Sequence, residues 1–186
     1  ASPNIDTSLL WLENDGGTYM SHLIESDVHD ADNLQVYDYD KDGDDDAILF
    51  SVGRGPRHFK NDGDGNFTMA ETMYGVAWEA ITTDINQDGW MDLLSWDYYG
   101  KVHYYENNRT GGFNSRISFL GDDHPDHCTA YDFDNDGDQD ILVYIARDTE
   151  KLVIIENENS EVFSNEIIVK DGYFSGAVEV FKEEGE

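Results

Sequence analysis

A single cysteine, Cys128, excludes an intrachain disulfide, so a secreted form of this chain would need another kind of staple. Basic residues are scarce too: 11 Lys and Arg stand against 41 Asp and Glu among 186 residues, a formal charge of −30. Phosphate backbones are held by Lys and Arg, so no nucleic-acid partner is expected, and an anionic membrane surface is disfavoured for the same reason. Long apolar runs are missing. The longest, such as Ile141-Leu-Val-Tyr-Ile-Ala146, are strand-sized and far short of the ~18 residues of a spanning helix, so no membrane insertion is expected. Proline is limited to three residues, and no stretch keeps a 3.6-residue apolar period. Residues 1–7 show no basic segment followed by an apolar one, so any export signal is expected to lie outside these residues.

What is present is enough for a core: 39% hydrophobic and 13% aromatic residues are more than a disordered chain carries. Two sequence markers repeat. The first is an acidic loop, Asp38-Tyr-Asp40-Lys-Asp42-Gly43-Asp44-Asp45-Asp46, with equivalents starting at Asp84 and Asp132. The second is an asparagine closing a short apolar segment, at Asn14, Asn61, Asn107 and Asn157. Both return about every 46 to 50 residues.

Each period reads as four short strands. An alternating run leads into the acidic loop, a more continuous apolar run such as Ala47-Ile-Leu-Phe50 leaves it, the asparagine segment follows, and a Gly/Asn/Asp turn precedes the last strand. The fold class is therefore all-β, a β-propeller-type array of about four four-stranded blades in which a terminal blade is split or incomplete. It forms a single repeat domain over 1–186, with units near 29–74, 75–122 and 123–170 and partial units at 1–28 and 171–186. The partial ends either meet in a small closed ring or present open strand edges to another copy.

In each acidic loop, carboxylates or a carboxamide occupy positions 1, 3, 5 and 9, with glycine at 6 for the sharp turn. All-oxygen ligation with many flexible ligands suits Ca²⁺. An EF-hand would need Glu at position 12 and flanking helices; here that position holds Leu49, Ser95 and Val143, inside apolar strand-like runs. The unit Asp-x-Asp-x-Asp-Gly-x-x-Asp followed by aliphatics, with the turn Asn61-Asp-Gly-Asp-Gly-Asn-Phe67, resembles the FG-GAP/VCBS repeat of calcium-binding β-propellers. That resemblance implies three Ca²⁺ sites. Their side-chain ligands would be Asp38, Asp40, Asp42 and Asp46; Asp84, Asn86, Asp88 and Asp92; and Asp132, Asp134, Asp136 and Asp140. Backbone carbonyls would come from Asp44, Trp90 and Asp138. The chain departs from the family pattern where Lys182-Glu-Glu-Gly-Glu186 stands in place of a further loop, and in losing the Asn-Asp-Gly turn from the later repeats.

Asp122-Asp-His124-Pro-Asp-His127-Cys128 is the densest His/Cys/Asp cluster, but its spacing lacks a second ligand pair for a tetrahedral metal. Six residues before each acidic loop stand Asp32, Trp78 and Asp126, followed by Asn33, Glu79 and His127. In a propeller these equivalents are expected to gather near the axis as a ligand surface, with an indole ring beside hydrogen-bonding groups. Trp96, Tyr98 and Tyr99 are expected in strand packing. No nucleophile, zinc-protease or phosphate-loop motif is present. The leading expectation is an extracellular or cell-surface, non-enzymatic module for adhesion or recognition of a glycan or extracellular protein. A building block that self-associates through edge strands, and the propeller domain of a secreted polysaccharide-active enzyme, are the alternatives.

Overall fold

The computed structural model describes residues 7–51, 53–73, 75, 77–114, 117–119, 124–146, 150–158 and 162–171. These form antiparallel sheets in chain order. A two-stranded sheet pairs β1 (Leu9–Asp15) with β2 (Thr18–Glu25). Three four-stranded sheets follow: β3 (Ala31–Tyr37), β4 (Asp46–Ser51), β5 (Arg54–Asn61) and β6 (Phe67–Thr72); then β7 (Glu79–Thr83), β8 (Asp92–Trp96), β9 (Val102–Tyr105) and β10 (Ile117–Phe119); then β11 (His127–Tyr131), β12 (Asp140–Ile145), β13 (Lys151–Asn157) and β14 (Phe163–Asp171). Within each four-stranded sheet every strand pairs with its sequence neighbour, the blade pattern expected of the repeat.

The sheets stack face to face through their second strands, which explains the continuous apolar runs there. Successive side chains of a strand point to opposite faces, so a strand buried on both sides needs apolar residues throughout. In β4, Ala47 and Leu49 pack with Leu9, Val28 and Phe59 against the first sheet, while Ile48 and Phe50 pack with Tyr39, Met73 and Leu93 against the next. β8 repeats the device. Leu93 faces back to that cluster, and Leu94 and Trp96 face forward to Cys128, Ile141, Val143 and Ile155. Cys128 is thus a small buried hydrophobe, its thiol raised by burial. Arg57, almost fully buried on β5, joins the first two sheets by donating to Glu25 at 2.6 Å and to Ser51 at 3.1 Å.

Among the described residues the stack stays open. The first sheet holds only two strands, and the partial unit expected at 171–186 lies, beyond Asp171, outside the described residues. In the first sheet Leu10, Leu12, Tyr19 and Leu23 share one exposed face; on β14, Ile167, Ile168 and Val169 are exposed.

One sequence expectation is corrected. The turn lost as a motif from the second unit survives as geometry. Asp62 accepts N–H groups from Asp64 and Asn66 in the first full blade, and Asn108 accepts them from Thr110 and Gly112 in the second. Arg109 and Gly111 take the positive φ of 61° and 83° found at Gly63 and Gly65, both 80°.

The two-faced strands set a test. Leu94→Ala should cost about 2 to 5 kcal/mol, whereas Leu12→Ala, at 63% exposure, should stay within about 0.5 kcal/mol; urea unfolding of both variants measures this.

Candidate metal loops and an aromatic cleft

Each acidic loop is wound around its own carboxylates. In the first, Asp38 accepts the N–H groups of Asp42 and Gly43, and Asp42 accepts that of Asp44. The second repeats this, with Asp84 accepting from Asp88 and Gly89, and Asp88 from Trp90. Gly43, Gly89 and Gly137 adopt positive φ, as their position requires. So do Lys41, Gln87 and Asn135 at position 4, at φ of 59°, 53° and 62°, which sequence reading missed. The winding brings oxygens of Asp38, Asp40 and Asp42 within 4.8 Å of one another, and likewise those of Asp132, Asp134 and Asp136.

The ninth-position carboxylates behave differently. Asp46, Asp92 and Asp140 are buried at the starts of β4, β8 and β12, outside the two converging groups. Their Oδ1 atoms accept the N–H groups of Asn61, Asn107 and Asn157 at 2.8 to 2.9 Å. Each asparagine amide returns a bond to the carbonyl preceding the aspartate, on Asp45, Met91 or Gln139. The two repeating sequence markers are therefore halves of one clamp. At Asp92, Oδ2 also accepts Ile85 N–H and the Tyr104 hydroxyl, and burial still pushes the carboxyl up to about 7.

Internal cations distinguish the loops. Lys60 donates to Asp40 at 3.1 Å, and Arg109 grips Asp88 Oδ2 through Nε and an Nη at 2.8 and 2.7 Å. Partial burial would raise Asp88, but the Trp90 N–H and the Arg109 guanidinium outweigh it and hold the carboxyl below its ordinary value. No basic side chain among the described residues is paired with Asp132, Asp134 or Asp136. The Asp132 Oδ1 atom is buried and accepts no hydrogen bond from them.

At the β7 and β11 ends, the second and third four-stranded sheets enclose a cleft of about 60 Å³ lined by Trp78, Glu79, Trp96, Asp97, Tyr98, His124, Pro125 and Asp126. Trp78 and Asp126 stand at equivalent places, each backbone N–H bonding the carbonyl of Trp96 or Tyr144 on the neighbouring second strand. Trp78, Glu79 and Asp126 of the expected ligand surface thus come together. Asp32 and Asn33 lie on β3, outside this lining, and Asn33 Oδ1 accepts from Gln35. His127 is exposed, with its ring edge-on to Trp96 at 6.0 Å. Trp96 is core, but Tyr98 and Tyr99 are exposed at 51% and 68%, which corrects their expected role in strand packing. Asp122 and Asp123 lie outside the described residues, so of the acidic His/Cys cluster only residues 124–128 are placed.

The loop spacing and the blades that carry it converge with one comparison: residues 84–143 match the family described as an FG-GAP-like repeat. That segment is an FG-GAP-type repeat. It runs from the second acidic loop into β12, just past the third loop. No curated protein matches the chain.

A row of Ser118 Oγ, His103 and Asp97 Oδ2, with contacts of 2.9 and 3.0 Å, spans the second full blade. Its hydroxyl belongs to the outer strand β10, whereas Asp97 lines the cleft, so the row holds a carboxylate in place at the cleft floor.

The clamp has a measurable cost of removal. Asp92→Asn keeps the shape but turns an N–H₂ toward a backbone or hydroxyl donor. The expected loss is about 1 to 3 kcal/mol, read as a lowered urea midpoint.

Proposed function

We propose that this FG-GAP repeat chain is an extracellular, non-enzymatic recognition module whose blades are stabilised by Ca²⁺ in the three acidic loops. The observation that carries the metal reading is the set of carboxylate oxygens converging at Asp132, Asp134 and Asp136, with the buried Asp132 Oδ1 accepting no hydrogen bond from the described residues. A cation there supplies the missing partner, and all-oxygen donors select a hard one. Asp38, Asp40 and Asp42 offer the same donors in the first loop, and Asp84, Asn86 and Asp88 the equivalent positions in the second. Extracellular calcium modules bind at ~10⁻⁴ to 10⁻³ M, an affinity that is useful outside the cell and that supports the localisation. Ligand recognition, of a glycan or an extracellular protein, is assigned to the cleft between the second and third full blades.

Calcium that binds only the folded form stabilises it by RT ln(1 + [Ca²⁺]/Kd), about 0.4 to 1.4 kcal/mol per site at 1 mM for that range of Kd. Thermal unfolding in millimolar calcium should therefore shift upward by several degrees relative to excess chelator; coincident melting curves would overturn the metal reading. The loops should also be unequal. Arg109 and Lys60 are tethered competitors for the second and first loops, so the third should fill first in a calorimetric titration. Arg109→Asn, which keeps a residue tolerant of positive φ, should strengthen binding at the second loop.

A second reading has one observation in its favour: the exposed apolar residues on the first sheet and on the edge strand β14. Further blades of the same kind, from a second copy or another segment, would cover them. Molar mass by light scattering in calcium tests the second copy: a dimer or larger assembly supports it, and a monomer removes it.

A further inference from the structure

We propose that the open edge of β1 is a docking site for an extended partner segment of second-strand chemistry: an aspartate followed by a largely apolar run of four residues. This rests on the second reading above, in which further strands cover the first sheet, and names the segment that does so.

The repeat fixes what β1 is. Asn14 stands at the place of Asn61, Asn107 and Asn157, so β1 is a third strand and β2 a fourth. In each full blade the third strand lies between the second and the fourth. Among the described residues β1 pairs with β2 alone, and its other edge carries no strand. The N–H groups of Asn61, Asn107 and Asn157 all leave toward the aspartate that heads the second strand. Alternate residues send their N–H groups to opposite sides of a strand, so Asn14 and Leu12 direct theirs to the open side. Neither meets a backbone acceptor there among the described residues. Half of the clamp is thus in place on β1.

The packing calls for the same strand. Leu34, Ala80 and Cys128 are equivalent, each four residues before its acidic loop. Ala80 packs with Ile48 and Phe50 of the preceding second strand, and Cys128 with Leu94 and Trp96 of theirs. These two are 2% and 0% exposed, whereas Leu34 is 43% exposed and Val36, on the same face, 56%. A second strand on β1 would present its second and fourth apolar residues to Leu34 and Val36, as β4 presents Ile48 and Phe50 to Ala80. Its first and third would lie opposite Leu12 and Leu10, as Ala47 and Leu49 lie opposite Phe59 and Arg57.

These demands define the occupant. Main-chain pairing along an open edge supplies affinity, and alternate side chains supply specificity. The apolar run serves both faces, and the leading carboxylate accepts the Asn14 N–H in a charge-assisted bond. This sequence holds three such segments, headed by Asp46, Asp92 and Asp140, and all three already serve as second strands in their own blades. The occupant is therefore a segment outside these 186 residues.

The probe is a fluorescein-labelled peptide of residues 44–51, which carries Asp46 and the β4 sequence, titrated with the whole chain in millimolar calcium and physiological salt. Anisotropy should show saturable binding, and hydrogen exchange should slow over Leu9–Asp15. An Asp46→Ala change in the peptide, which leaves the chain untouched, should weaken binding by about tenfold. In the chain, Leu12→Pro removes an edge N–H and spares the bonds to β2, and should weaken binding by about tenfold. Leu34→Glu, at an exposed position, serves if Leu12→Pro loses its cooperative melting. No saturable binding, equal binding of the Asp46→Ala peptide, or slowed exchange confined to β14 overturns the proposal. Peptide binding by a chain that light scattering finds monomeric supports the docking edge and removes assembly of copies. A dimer that binds no peptide removes the docking edge and leaves assembly standing through another surface.

Discussion

Three buried carboxylates hold the repeat together. Asp46, Asp92 and Asp140 each stand at the start of a second strand and accept the backbone N–H of the asparagine that ends the third strand. A buried carboxylate is costly unless donors surround it; main-chain N–H groups serve both oxygens of Asp92 and Asp140, whereas Asp46 Oδ2 accepts no hydrogen bond from the described residues and lies 3.7 Å from His58 Nε2. The bond therefore sets where the acidic loop ends and where the third strand stops. Asn107 extends the connection between blades, because its amide also donates to the Tyr39 carbonyl of the preceding unit at 2.9 Å.

The loops become neighbours once the blades stack. The Lys41 ammonium sits 4.3 Å from the Trp90 ring centroid, and the Gln87 side chain donates to the Gly137 carbonyl. Acidic segments separated by nearly a full period are thus arrayed along one edge, where much of the negative charge collects. The aromatic cleft lies at the other ends of these strands, where Trp78 and Asp126 precede β7 and β11. One end of the blades gathers carboxylates and the other presents rings.

Much of this was legible because it depends on local pattern. The alternation of residues in β3 and the uniform burial of β4 and β8 follow from side-chain periodicity, and the acidic loops show their turn through Gly43, Gly89 and Gly137. What stayed hidden depends on tertiary approach. Nothing in the spacing of Arg109 and Asp88, or of Lys60 and Asp40, announces an ion pair, because the chain must first pass through a strand and a turn to bring them together. Tyr98 reads as a strand residue by composition, yet it follows β8 in a turn and faces the cleft. Asp32 is equivalent to Trp78 in sequence but sits on β3 at a register shift between Ala31 and Asn33, away from the aromatic shelf. The lost Asn-Asp-Gly motif shows the converse: Asn108 performs the hydrogen bonding of Asp62, so the backbone keeps a shape that the letters no longer spell.

The two-faced second strands also constrain how such a chain can change in length. Leu93 belongs to one interface and Leu94 to the next, with Asp92 at the strand's head. Inserting one residue after Asp92 would exchange the sides of everything beyond it, sending each side chain into the opposite packing layer. Such a change would disturb two junctions at once. Room for insertions and deletions is therefore confined to the turns between strands, and descendants of this repeat would diversify at their tips while the strand interiors kept a fixed count.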